Sequence, residues 1–346
     1  FYDLLQKANF PTDVVYEDDI RGGALADRGY KAVVLSYCET LPESVYRRLV
    51  EFAKGGGIVI ADQYLEADIP GVRRIEMDLE FYRRHDYDLV RKGQSDLDRV
   101  EAKLDDLAAT LRTAFKDTIA TPVRTDSPDV LVNTIDAGGH RLITLINDRR
   151  TLGEWAGRFR TIRDAGVAQT PTVSVRLSGP EAALYDLLRH RRIDAEADEE
   201  GMATFRRPLG PGAGAYIMET PEPIGGVWVE AADPKEKSLP VAVRIVVRGE
   251  SGNPMPGLLP IEVEVLDAFG VPTEYSCHRV ARNGLSMFEF QPARNESGGA
   301  WTIRVTDLAS GLGAEAVVTV PRDPRRFSGD DPELRRIYAP GEWDRD

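Results

Sequence analysis

The chain has 346 residues, with 44 Lys and Arg against 57 Asp and Glu, for a net charge of −13. Its length exceeds one ordinary core, since single cores stop growing at about 250–300 residues, and 42% apolar with 8% aromatic residues separates it from disordered chains. The charge argues against a nucleic-acid or anionic-membrane partner, which needs clustered cations, and no apolar run approaches the roughly 20 residues of a membrane span.

In chain order, Leu4, Leu5 and Ala8 have helical spacing and Pro11 ends that helix. An extended Asp13–Tyr16 run and a Gly22-Gly23 turn precede Ala32-Val33-Val34-Leu35, whose continuous hydrophobicity predicts a central strand buried on both faces. Thr40 and Glu43 have the spacing of a capping box for a helix striped by Val45, Leu49 and Phe52. Gly55-Gly56-Gly57 stops it, Ile58–Ala61 is a second buried strand, and a third short one is expected within Gly71–Met77.

Leu97, Val100, Leu104, Leu107, Leu111 and Phe115 mark one long amphipathic helix that Ser95 would cap. From Thr121 onward the period becomes two, with glycine-rich turns between short strands, as in β-sandwiches. Alternation is clearest in Val241–Val247, Ile261–Val265 and Trp301–Val305. The resulting expectation is a multidomain α/β plus all-β chain: an N-terminally truncated α/β domain over 1–120, a β-sandwich over 121–222, an immunoglobulin-like sandwich over 223–321 and an extended tail over 322–346.

Chemistry-bearing patterns are sparse. Cys38 and Cys277 are the only cysteines, and His85, His140, His190 and His278 have no metal-ligand spacing, so neither a disulfide framework nor a metal site is indicated. No phosphate-cradling glycine loop follows a strand, and no cofactor is implied. Cys38 follows a buried strand and precedes a helix, a setting that can favour a thiolate. Glu39 is its neighbour and Asp62 ends the adjacent strand, at the sheet edge where α/β ligands bind. These three residues are the weak catalytic candidates. Acid runs such as Glu17-Asp18-Asp19 and Glu196–Glu200 read as solvated turns, and Trp155 and Trp228 are candidates for stacking on a sugar.

Tyr30–Leu35, Leu41-Pro42-Glu43 and Phe52-Ala53-Lys54-Gly55-Gly56-Gly57-Ile58-Val59-Ile60-Ala61 together resemble the class I glutamine-amidotransferase-like domain of family 42 β-galactosidases, often called the trimerisation domain. The likeness covers residues 1–77 and implies a partial flavodoxin-like parallel sheet followed by two β-sandwich domains. In true amidotransferases a nucleophilic Cys occupies the elbow after the second strand; here that position reads Ala61-Asp62-Gln63-Tyr64, and no His-x-Glu pair follows. The resemblance therefore implies a non-catalytic accessory or assembly role in a large bacterial protein, secreted or periplasmic. Its partners would be an upstream catalytic domain, a neighbouring subunit in a homo-oligomer, or carbohydrate. A Cys38-dependent hydrolase and a carbohydrate-binding or adhesion module are the alternative readings.

Overall fold

The computed structural model describes residues 1–75, 95–115, 119–151, 155–156, 161–162, 165–235, 239–293, 296 and 298–321, with the side chains of 95–101, 151–165 and 196 outside the description. The expected tail, with Tyr338 and Trp343, and also His85, Met77 and the side chains of Leu97 and Val100, lie outside the described residues. The fold is mostly β-sheet with few helices. Two compact units make it up: Phe1–Thr134 with Ile143–Leu177 and Ala195–Tyr216, and Ile135–Leu142 with Ser178–Asp194 and Ile217–Asp346.

The first unit opens with helices α1 (Tyr2–Lys7), α2 (Glu17–Arg21), α3 (Ala24–Asp27) and α4 (Glu43–Lys54), with the long α5 (Ser95–Phe115) further along. Strands β1 (Ala32–Leu35), β2 (Ile58–Ala61) and β3 (Arg73–Arg74) form a parallel sheet in that order. Among the described residues the middle strand is thus β2, and β1, expected to be central, has one neighbour. Both faces are still covered. Val33, Leu35, Val59 and Ala61 pack with Val45 and Leu49 of α4, while Ile60 packs with Leu4, Ala8 and Phe10 and with Leu104, Ala108, Leu111 and Phe115 of α5.

Local sequence explains where the elements stop. The residue before a proline avoids the helical region, so α4 starts at Glu43 with Pro42 as its cap and no side-chain capping bond, rather than at the expected Thr40 box. Glu43 instead pairs with Arg47 one turn on, at 2.8 Å. At the other end the Phe52 ring packs over Gly57, where an added Cβ would sit 2.4 Å from it and displace the ring. Asp13–Tyr16 pairs with no strand, and the acid run Glu17–Asp19 lies in α2 rather than in a turn, pairing with Arg21 and Arg28.

Two further strands, β4 (Val123–Thr125) and β5 (Val130–Asp136), follow α5. β4 joins an antiparallel sheet in the order Glu196–Ala197, Met202–Arg206, Thr172–Arg176, β4. The C-terminus of α1 fastens the helical part of this unit to its strands. Lys7 Nζ lies 3.0 Å from Asp105 of α5 and 3.2 Å from Asp129. Asn9, left-handed at φ 60 and buried, accepts from the Thr125 backbone N at 3.0 Å and donates to the Val130 carbonyl at 3.4 Å. Arg112 donates to the Lys7 carbonyl at 2.9 Å. A second buried node is Asn147, whose amide donates to the Val167 and Gly210 carbonyls while its oxygen accepts from Gln169 and the Arg149 N.

In the second unit, Ala183–Asp186 pairs with Arg191–Arg192 and with residues 217–220 of the strand Gly214–Thr220. Seven further strands follow: β6 (Ile224–Ala231), β7 (Val241–Gly249), β8 (Leu258–Leu266), β9 (Cys277–Arg282), β10 (Leu285–Phe290), β11 (Gly299–Asp307) and β12 (Gly313–Val320). Their order is β6-β7-β10-β9-β8-β11-β12. The β9–β10 link is one residue pair, Arg282 with Leu285, across an Asn283-Gly284 turn in which both residues have positive φ. The sheet folds at that hinge and its end strands β6 and β12 touch, giving a sandwich-like enclosure. Val243, Ile245 and Val247 face Ile261, Val263, Trp301, Ile303 and Val305 in one core.

Asp307, at the end of β11, is fully buried. One carboxylate oxygen accepts from Ser310 N and Oγ, and the other has no hydrogen-bond partner among the described residues. Burial pushes its carboxyl up, against the pull of Ser310, Ala309 and His190. A raised folded value means its contribution to stability is fully present below the ordinary carboxylate value, about 3.9, and fades as pH rises through the folded value. Asp307→Asn keeps the shape without the charge, so its stability relative to wild type should increase from pH 4 to pH 7, reaching about 1 kcal/mol; urea midpoints across that range would contradict this if the two proteins followed parallel curves.

Candidate functional site

The carboxyl ends of parallel strands are where α/β sheets usually bind ligands, and β1 and β2 bring the three catalytic candidates to this edge. Leu35 ends β1, and two residues on Tyr37 adopts φ 55, a left-handed conformation that is uncommon for a bulky side chain. The constraint is visible in its contacts. Asp62, directly after β2 and 2% exposed, accepts the Tyr37 backbone N at 2.7 Å through one oxygen and the Tyr64 N at 3.1 Å through the other. The Tyr37 and Tyr64 rings stack above this bridge with centroids 4.3 Å apart. A second backbone tie, Glu66 N to the Glu39 carbonyl at 3.1 Å, joins the same two loops.

Cys38 sits half-buried beside this bridge, its thiol 3.6 Å from the Ser36 carbonyl. Burial pushes the thiol up from its ordinary value, and the negative charges of Asp62 and then Glu17 push it further. Four residues, Glu39–Pro42, separate Cys38 from the first turn of α4, and that turn itself carries an acid, Glu43. The thiol is therefore the dominant form at neutral pH, whereas the thiolate is the nucleophile. Glu39 is exposed. No histidine occurs among the described residues of this unit.

The remaining candidates belong to other segments of the chain. His140 is buried in the second unit, where burial lowers its ring value against a weaker raising pull from the Pro256 backbone, and neither ring nitrogen has a hydrogen-bond partner among the described residues. His190 is bonded to the Leu308 carbonyl at 2.6 Å, and His278 faces Glu262 at 3.8 Å. No group of three or more His, Cys, Asp or Glu suited to a metal ion occurs among the described residues. Trp301 is fully buried, Trp228 is 44% exposed on β6, and the side chain of Trp155 lies outside the described residues. Sequence reasoning located Asp62 but missed the Tyr37–Tyr64 stack, whose one advance signal is an aromatic two residues after the first strand and three after the second.

No family model matches the chain, and no curated protein matches it. Solved structures that resemble it include glycoside hydrolases, and also an adhesin of Yersinia pseudotuberculosis and a red sea bream transglutaminase. α-L-Fucosidase isoenzyme 2 from Paenibacillus thiaminolyticus aligns at 12% identity and a TM-score of 0.42, over 63% of this chain and 44% of that one. The apo exo-carrageenase GH42 from Bacteroides ovatus aligns at 10% and 0.31, over 63% and 26%. The rhamnosidase from Novosphingobium sp. PP1Y aligns at 10% and 0.31, over 84% and 29%. The chain thus spans less than half the length of each, and at these TM-scores none of the likenesses bears on its chemistry.

The Asp62 bridge has a measurable consequence. Asp62→Ala strands two backbone N–H groups that now donate to a carboxylate, so it should lower stability by about 2–3 kcal/mol in urea unfolding, with Asp62→Asn intermediate because it keeps an acceptor. A loss below about 0.5 kcal/mol would mean that the bridge holds nothing together.

Proposed function

We propose that this chain is a non-catalytic, architectural region of a protein similar to glycoside hydrolases. The observation that carries the reading is the use of Asp62. The one buried carboxylate among the described residues at the carboxyl edge of the parallel sheet has both oxygens engaged with backbone N–H groups, where it locks two loops together. A carboxylate held this way is a structural clamp, and the neighbouring Cys38 thiol is shifted away from reactivity.

On this reading the three parallel strands belong to a partial flavodoxin-like, amidotransferase-like domain, in keeping with the Phe52–Ala61 motif. The second unit's sheet, with β6, β7 and β10 facing β9, β8, β11 and β12, is an immunoglobulin-like module. The α/β part would pack on a catalytic domain or on a neighbouring subunit. The sandwiches would act as spacers or shape the rim of a carbohydrate site.

The competing reading, a hydrolase that uses Cys38, makes opposite demands. In the full-length protein, Cys38→Ser should leave turnover of aryl glycosides and of γ-glutamyl amides within about twofold of wild type, and iodoacetamide should label Cys38 more slowly than free cysteine at pH 7. A drop beyond about tenfold with an unchanged melting temperature would overturn the architectural reading.

A further inference from the structure

The outward face of β6, β7 and β10 in the second unit carries a feature that packing does not account for. Inward-pointing Val227, Val243, Ile245 and Val247 belong to the core. On the opposite face Trp228 lies across from Val246, and Val246 across from Leu285, forming one row over three strands. Trp228 is 44% and Leu285 40% exposed, while Val246 is nearly covered between them.

The rows on either side carry charge and are unequal. On one side Arg248 stands opposite Gly226. On the other, Glu230 stands opposite Arg244, at 3.3 Å, and Arg244 opposite Met287. The indole leans along its strand over Gly226, where an added Cβ would lie 3.1 Å from Cη2. Arg248 packs its guanidinium on the same ring, 4.9 Å from the centroid. The ring is therefore held in one orientation while much of it stays in water.

Arg248 is the unusual member. Its Nε is buried without a hydrogen-bond partner among the described residues, and no carboxylate among them pairs with the guanidinium. Of the acids of adjoining segments, Glu230 is committed to Arg244 and Glu222 to Ser251 N and Oγ at 2.8 Å each, and Glu250, two residues on, is exposed. A fixed, half-solvated cation beside an exposed indole is complementary to a ligand with an apolar face and one negative charge.

We propose that Trp228 and Arg248 form a subsite for an acidic pyranose, a uronic-acid unit of a polysaccharide. The C–H face of a pyranose carries partial positive charge and packs on the indole surface that the guanidinium leaves exposed, and the sugar carboxylate meets the outward N–H donors of Arg248. The site's size favours a sugar over a protein. A stable protein interface needs about 800 Å² per partner, whereas one ring stack needs a single indole, and the apolar row here, extended by exposed Met287, has Arg248 on one side and the Glu230–Arg244 pair on the other. The net charge of −13 does not forbid an anion, because screening over about 8 Å at physiological salt leaves the local guanidinium dominant. The inference is independent of the architectural reading of the chain.

The test is calorimetric titration of the full chain with trigalacturonic acid, using cellotriose as the neutral comparator. Saturable binding of the acidic trisaccharide is expected, weakened at least about tenfold by Trp228→Ala and by Arg248→Met, retained within a few-fold by Trp228→Phe, and reduced by added salt. Should Trp228→Ala fail to fold, Trp228→Phe, Arg248→Met and the shift of the Trp228 indole N–H resonance decide the matter. No binding, binding indifferent to both positions, or equal affinity for cellotriose that Arg248→Met leaves unchanged would each overturn the proposal. So would concentration-dependent self-association abolished by Arg248→Met, which would make the row a contact between copies.

Discussion

Within the first unit, everything depends on how helix α1 ends. A helix C-terminus leaves carbonyls without intrahelical partners, and here Arg112 of α5 supplies a donor to the Lys7 carbonyl. The next two residues turn the ending into a joint. Ala8 fills the core beside Ile60 and Leu111, and Asn9, in the left-handed conformation that Asn tolerates better than most residues, reaches the backbone of Thr125 and Val130. Lys7, only 13% exposed at its side chain, sits between Asp105 and Asp129. Such pairs are held in place by surrounding packing, and their removal strands buried polar groups, so they specify geometry more than they add stability.

The same economy of buried polar groups runs through the rest of the molecule. Asp62 joins the two strand-end loops, Asn147 joins the backbone at Val167 and Gly210, and Glu219 accepts from Ser178 N while pairing with Arg141. In each case the side chain's hydrogen-bonding capacity is directed at backbone or at a fixed partner. That is the pattern of a scaffold, and it links the fold to the function proposed for it. The exceptions are few, and Arg248 Nε is one of them, with the second oxygen of Asp307 and the ring nitrogens of His140, all buried without a hydrogen-bond partner among the described residues.

How much of this was legible in the sequence follows from range. Ala32–Leu35, Ile58–Ala61 and the 95–115 helix are written in continuous or periodic apolar residues, a local signal. The inward orientation of Trp301 was readable from its alternation with Ile303 and Val305. The start of α4 was misplaced because Pro42 outranks a capping spacing, and the acid run at Glu17–Asp19 became helix because Arg21 and Arg28 neutralise it. The α1 joint could not have been read. Lys7 and Asp129 are 122 positions apart, and only Asn9 ahead of Phe10-Pro11 hinted at a special turn. The candidate site divides the same way: Asp62 was visible as a strand end, but its bonds to Tyr37 and Tyr64 depend on how two loops meet.

The claim that the α1 joint fastens helix to sheet is tested most directly by native-state hydrogen exchange on wild type and Asn9→Ala. If the joint is the fastening, amides of α5 and of Val123–Thr125 open with a common free energy in wild type, and both lose about 2 kcal/mol of protection together in the variant. Loss confined to the Thr125 amide, with α5 unchanged, would show that the two elements stand independently and would contradict the account.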